Sequence, residues 1–338
     1  MISPQIPTGL AGFSLPLSSE TLVDHGPAGE DYIAAIRDSV QHLVTLDIKF
    51  GGDAVSVYAM RIFRAVWHRL RQGAYRADCE RDLHAAGAEL AELTGWLLCD
   101  ANRQLAARRV NHAAMTLAQI SGDRSMGLFV THNMSLQATY LRRPAEALEL
   151  VQPMLDDRLL TSRLNSMFRL RVARAYAQMG QRSAALKVLD QAVSLFFDGV
   201  TDRDPVWSWW ISERGINSAT GAIYGSLGDW KAAISPLHSA LRATPVEAHR
   251  DRHLYLCVLL HAQIELGDWR EAERTAEKLV PLIHTVGSAR PLARLRATID
   301  QLNRLPGRRP RLLAATELVR PAIDATMKKR PLSRCEAR

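Results

Sequence analysis

The sequence predicts an all-α protein in which helical hairpins stack one after another into a solenoid, and three observations carry that prediction. Ala, Leu and Arg are abundant, aromatics make up only 6% of the 338 residues, and period-two runs of Val, Ile and Thr are almost absent. Helix junctions recur: a helix ends and the next begins with an alanine at Ala106, Ala147, Ala185, Ala233 and Ala272, at spacings of 41, 38, 48 and 39 residues. The last three junctions share a pattern, Met179-Gly180-Gln181-Arg182-Ser183-Ala184-Ala185, Leu227-Gly228-Asp229-Trp230-Lys231-Ala232-Ala233 and Leu266-Gly267-Asp268-Trp269-Arg270-Glu271-Ala272. A glycine five places before the alanine can take the positive φ that ends a helix, and the small side chain lets the next helix pack close. A period near 40 residues is that of helix-pair arrays.

The elements follow in order. Residues 1–29 hold four prolines and four glycines without helical period, and are expected as a flexible leader. Helical patterning starts near Glu30, with Ile33, Ile36, Val40, Leu43 and Leu46 on one face, and stops at Gly51-Gly52. Asp53 is placed to cap a second helix with Val57, Met60, Phe63, Val66, Trp67 and Leu70, ending at Gly73. Cys79 to Leu98 makes a third helix, and these three form the N-terminal cap and first stacking partner of a repeat domain over 30–305. Five pairs follow: Cys79 to Leu98 with Asn102 to Ile120, Ser125 to Leu141 with Ala145 to Leu155, Ser162 to Met179 with Ser183 to Phe197, Trp207 to Leu227 with Trp230 to Ala243, and Ala248 to Leu266 with Trp269 to Thr285. The long spacing holds an insertion, Asp198 to Pro205, whose glycine, proline and aspartates mark a surface loop. A last helix, Pro291 to Leu305, closes the array with Leu292, Leu295, Ile299 and Leu302. Residues 306–338 are expected as a basic, partly disordered tail.

Glycine, aspartate and tryptophan at two junctions, the alanine five residues past the glycine, and Pro245 after a second helix resemble the tetratricopeptide repeat, at a longer period than is usual there. Ala101 and Arg142 stand where the first two junctions would carry the glycine. The resemblance implies a right-handed helical-hairpin solenoid of about five pairs plus capping helices. Phe50-Gly51-Gly52-Asp53-Ala54-Val55, Arg81-Asp82-Leu83-His84-Ala85-Ala86, Gly95-Trp96-Leu97-Leu98-Cys99-Asp100-Ala101 and Gly122-Asp123-Arg124-Ser125-Met126 look similar to segments of actinomycete regulators. So do Arg143-Pro144-Ala145-Glu146-Ala147-Leu148 and Val286-Gly287-Ser288-Ala289-Arg290. In that family an Xre-type helix-turn-helix precedes such a helical region, and the implied role is regulation of transcription in differentiation or secondary metabolism. The 29 irregular residues before Glu30 leave no room for a helix-turn-helix and carry no Arg or Lys for phosphate contacts. Direct sequence-specific DNA binding is therefore not expected; the chain reads either as a stand-alone sensor or adaptor half, or as one whose start is placed too late.

The net charge of +8 is uneven: residues 1–36 carry four acids and no base, while 287–338 carry thirteen bases and four acids. Such a tail either binds phosphates or another acidic surface, or is a solvated segment broken by Pro306, Pro310, Pro321 and Pro331. No apolar run reaches the roughly 20 residues of a membrane span, and no basic region precedes an apolar stretch at the N-terminus, so no membrane partner is expected and the expected location is cytoplasmic. The four cysteines, Cys79, Cys99, Cys257 and Cys335, lack CxxC pairing and read as reduced thiols.

Nucleotide, metalloprotease, hydrolase-elbow and EF-hand motifs are all missing, so no enzyme, cofactor or metal is expected. His249 and His253, four apart, could share a metal, but Arg250 and Arg252 flank them and a solvated face is the plainer reading. Glu89 and Glu92, three apart, have nothing else converging on them. Trp230 and Trp269 read as wedges between adjacent pairs. Trp207, Trp209 and Trp210 divide between core packing and a binding contact, with Trp209 pointing away from the other two. In a tetratricopeptide-like groove the first helices would offer His132, Asn133, Gln137, Arg169, Asn217 and His253 as a polar floor for a peptide or small polar signal. Together with Trp209 these are the candidate partner contacts. The expected function is a non-enzymatic regulator or adaptor, possible as a homodimer, that holds a protein or peptide in its groove. The alternatives are a DNA-associated regulator using its basic tail and a small-molecule sensor.

Overall fold

The structure, a computed structural model, describes residues 26–156, 159–305 and 310–328. Helix makes up 81% and no strand occurs among the described residues, so the all-α class stands. Fourteen α-helices follow one another: α1 Glu30–Phe50, α2 Gly52–Arg71, α3 Glu80–Asp100, α4 Gln104–Ser121, α5 Arg124–Tyr140, α6 Pro144–Leu155, α7 Ser162–Gln178, α8 Arg182–Phe197, α9 Glu213–Ser226, α10 Trp230–Arg242, α11 His249–Leu266, α12 Trp269–Ile283, α13 Ala289–Leu302 and α14 Pro310–Lys328. A lone bridge, Ala28 to Tyr75, ties the segment before α1 to the turn after α2.

The described residues fall into two compact units, one ending at Ser208 and one starting at Trp209. In the first, α1 and α2 cover α3, and the pairs α3–α4, α5–α6 and α7–α8 pack consecutively, with α3 against α5 and α5 against α7. In the second, α9–α10 and α11–α12 pair, α9 packs on α11, α11 on α13, and α14 lies against α12 and α13.

The junctions within the pairs are built alike because each uses the same backbone device. After α3, α5, α7, α9 and α11 the chain enters a left-handed residue, Asn102 (φ 55°), Arg142 (φ 59°), Gly180 (φ 74°), Gly228 (φ 72°) and Gly267 (φ 70°). The N–H of the following residue then reaches back five positions, from Arg103 to Leu98 O, Arg143 to Ala138 O, Gln181 to Tyr176 O, Asp229 to Tyr224 O and Asp268 to Gln263 O, at 2.8–3.0 Å. These bonds satisfy helix-end carbonyls that would otherwise lack a partner. The first junction corrects the sequence register: the left-handed residue is Asn102, not Ala101, so the alanine five places on is Ala107. It is Ala107 that is fully buried, like Ala147, Ala185, Ala233 and Ala272, while Ala106 is only partly covered. Asn102 tolerates the conformation because its short amide bonds locally: its Oδ1 accepts from Gln104 Nε2 at 3.1 Å and from the Tyr140 hydroxyl at 3.3 Å.

Three further elements depart from expectation. Asp53 is not the N-cap but lies in the first turn of α2, which begins at Gly52 after Gly51; the Gly52 N–H donates to the buried Asp100 Oδ2 at 3.0 Å. Only glycine fits there, since a Cβ would lie 2.4 Å from Leu97 O. The expected helix from Trp207 is instead a short 3-10 turn, Val206–Trp210, and α9 starts at Glu213 after an extended Ser212. Beyond Leu305, where no helix is expected, α14 buries Leu312, Ala315, Val319 and Ile323 in the core formed by Leu260, Leu279, Leu295 and Leu302. Pro310 at its first position costs nothing, because that N–H has no helical partner anyway. The remainder of the tail, and residues 1–25 of the expected leader, lie outside the described residues.

No helix among the described residues is long and apolar enough to cross a membrane. Cys79, Cys99 and Cys257 are buried and form no disulfide among the described residues, and Cys335 lies outside them.

Candidate functional site

The polar residues expected on an open floor sit inside the first unit. On α5, His132 (2% exposed), Asn133 (6%) and Gln137 (4%) are buried, and each reaches toward a neighbouring helix or side chain. The Asn133 amide donates to Glu92 Oε1 on α3, 41 residues earlier. His132 Nδ1 lies 3.3 Å from Asn133 Oδ1. Gln137 Nε2 donates to the backbone carbonyl of Gln104 at 2.8 Å and to its side-chain Oε1 at 2.9 Å, fastening α5 to the start of α4. One pair further on, Gln178 Nε2 of α7 donates to Thr139 O of α5 at 2.7 Å, across 39 residues. Toward the N-terminal side, Trp96 Nε1 donates to Asp47 Oδ2 at 3.0 Å, joining α3 to α1.

Burial decides the charge state of this layer. It pushes the Glu92 carboxyl up to about 8, and the nearby Glu89 and Asp47 carboxylates add to the shift while the Asn133 bond opposes it. Burial and the Arg171 guanidinium hold His132 well below its ordinary range, the Asn133 bond opposing them. At neutral pH the site is therefore mostly a protonated acid beside a neutral imidazole, bridged by an amide. It is suited to fixing α3 against α5 and has no exposed nucleophile or base. Glu89, the other member of the expected carboxylate pair, faces Arg37 at 3.7 Å instead. The two carboxyls do not act on one point.

The remaining candidates are scattered. Arg169 is half-buried, bonded to Asn165 Oδ1 at 2.8 Å on its own helix and to Gln191 Oε1 at 2.7 Å on α8. In the second unit Asn217 is half-buried on α9, His253 is fully buried on α11, and Trp209 is 60% exposed. Among the described residues no three or more His, Cys, Asp or Glu side chains group as metal ligands would, and His253 faces the core rather than a solvent-facing pair with His249. Trp230 does act as a wedge: its ring meets His261 edge-on at 4.8 Å, and Gly225 leaves it room.

A second feature of the first unit was only hinted at by the sequence. Trp207 turns back onto α5 and stacks on Phe129 with ring centroids 4.4 Å apart and planes 8° from parallel. Its Nε1 donates to Ser125 Oγ at 3.4 Å, across 82 residues. Three residues earlier, Asp204 accepts from the Thr161 hydroxyl and from Thr201 N, and Thr161 is the residue that caps α7 by accepting from Leu164 N at 3.3 Å. Nearby, an open cavity of about 390 Å³ lies along α4, α5 and α6, lined by Met115, Gln119, Asp123, Leu128, Thr131 and Met154. Only the inserted length of the loop signalled this contact in the sequence; Ser125, Phe129 and Thr161 carry no motif.

Compared with protein-family models and with curated proteins, the chain matches none.

Proposed function

We propose that this chain is a non-enzymatic regulatory or adaptor protein, a tetratricopeptide-like, right-handed solenoid that holds a protein or peptide partner along its first helices and influences transcription through that partner. One observation carries the reading. Hydrogen bonds join the first helices of successive pairs at nearly one repeat length: Asn133 to Glu92 across 41 residues and Gln178 to Thr139 across 39, with Gln301 of α13 bonded to Glu265 of α11 across 36. The donors on α5 and α7 stand fourteen and seven residues before their junction alanines, and the acceptors on α3 and α5 fifteen and eight before theirs, so both contacts share one stagger. Repeats that touch only their neighbours in one register leave a continuous face, and such faces bind extended partners. The transcriptional side of the reading rests on the likeness of residues 30–305 to the helical region of Xre-type regulators.

Affinity capture from native cytoplasm with the full chain, with and without nuclease, tests it. The reading expects one protein or peptide to be retained equally in both. Recovery of nucleic acid alone would replace it with the basic-tail alternative, and recovery of neither with a small-molecule sensor.

A further inference from the structure

We propose that the first unit carries a receptor site for a peptide segment with an acidic residue three places before a large aromatic one, built by Phe129 and Ser125 of α5 with Thr161 at the start of α7, and that the chain's own Asp204 and Trp207 occupy it as an internal ligand. This deepens the partner-binding reading above and rests on it.

Two pins hold the inserted loop. Trp207 lies flat on Phe129 and donates its indole N–H to Ser125, so one end is apolar with a polar handle. Asp204 is held by the Thr161 hydroxyl at the N-terminus of α7. That helix has no acid and carries Arg163 in its first turn, so its N-terminus favours a carboxylate through both the helix dipole and side-chain charge. Pro205 and the Ser208 N–H to Pro205 O bond of 2.8 Å set the turn that spaces the pins.

The rest of the loop is poorly held. Val200 is 69% exposed and Val206 95%, and Phe197, the last residue of α8 before the loop, is 68% exposed. The hairpin does not need the segment: α7 and α8 pair before it begins, and the other junction alanines are spaced by 38 to 40 residues without it. A segment with two anchors and little else buried belongs to the low-stability end of a fold and opens before the core does. A ligand tethered by a short linker faces its site at roughly millimolar effective concentration, so a partner offering the same two groups competes only above that threshold. The loop thus reports the chemistry of the partner and sets the level at which it binds.

Fluorescence anisotropy of a fluorescein-labelled peptide of residues 198–208 tests the proposal on the full chain. Trp207→Ala should bind the peptide at least tenfold more tightly than the wild type, and adding Phe129→Ala should remove at least tenfold of that gain. Asp204→Asn, a change at a half-buried loop residue, keeps the test alive if Trp207→Ala does not fold, and should bind at least threefold more tightly than the wild type. Equal binding to all variants, or binding to none, overturns the proposal. A partner captured by the full chain but equally by Trp207→Ala leaves the scaffold reading intact and removes this site; peptide binding to Trp207→Ala with no captured partner keeps the site and removes the scaffold reading.

Discussion

The two units fill equivalent helix positions with different chemistry. Counting back fifteen and fourteen residues from each junction alanine, the first unit has Glu92 and Leu93, then His132 and Asn133, then Leu170 and Arg171, whereas the second has Ser218 and Ala219, then Cys257 and Val258. Glu92, His132 and Asn133 are buried yet polar; Cys257 and Val258 are buried and simply fill space, and Ser218 bonds the Tyr255 hydroxyl. The junction device is the same in both, so it fixes how helices meet without dictating what lies between them. Burying a carboxyl and an imidazole costs stability unless each is hydrogen-bonded. His132 meets Asn133 on its own helix, while Asn133 to Glu92 and Gln178 to Thr139 run between helices in one stagger, so the polar layer specifies alignment where an apolar layer would allow slip.

The largest expected effect breaks that layer. Asn133→Ala strands Glu92 without its donor and should cost about 2–3 kcal/mol in denaturant unfolding. The paired replacement Glu92→Leu with Asn133→Leu should recover most of it, because two apolar groups leave nothing unsatisfied. A cost below about 0.5 kcal/mol would mean the bond adds nothing to register.

Next comes the pH dependence. Because Glu92 binds its proton more tightly folded than unfolded, its contribution is complete below the carboxyl's ordinary value of 4.5 and is lost as pH rises toward about 8. His132, held low by burial and Arg171, acts in the opposite sense: its contribution is present above 6.5 and lost as pH falls below it. Between 6.5 and 8 only the Glu92 slope remains of the two, about 2 kcal/mol at most. Glu92→Gln should therefore flatten stability against pH over that range relative to the wild type, and an unchanged difference would show the carboxyl to be ionised already.

Smaller effects sharpen the junction side of the comparison. Gly228→Ala in the second unit should cost about 1 kcal/mol, while Arg142→Gly in the first should gain up to about 1 kcal/mol, since both sites hold positive φ. Cys257, whose thiol burial pushes up to about 12, should resist thiol reagents in the native protein at pH 8 and react only on unfolding.

Much of the scaffold was legible in the sequence, because single-faced helices and glycine junctions leave local marks. Ile33, Ile36, Val40, Leu43 and Leu46 are all buried on α1, and Leu292, Leu295, Ile299 and Leu302 all on α13, as their spacing requires. The first junction was misplaced by one residue because Asn102, not glycine, takes the left-handed turn. The helix at 310–328 was missed because Pro310 and Pro321 read as breakers, yet prolines also lie inside α6, α10 and α12 at Pro153, Pro236 and Pro281. The candidate site was half legible. Residue types on α5 pointed to His132, Asn133 and Gln137, but that helix is buried on several faces, so periodicity gave no way to tell its inner side from an open one. The Trp207 contact spans 82 residues, and local spacing carries no trace of it.

The most direct test of the functional account is site-specific photo-crosslinking in a native cell extract, with the crosslinker at Ser125 in the first unit and, separately, at Glu213 in the second. A partner that crosslinks from Ser125 and not from Glu213 is the predicted result. Crosslinks from Glu213 alone would contradict the account and move the partner surface to the second unit.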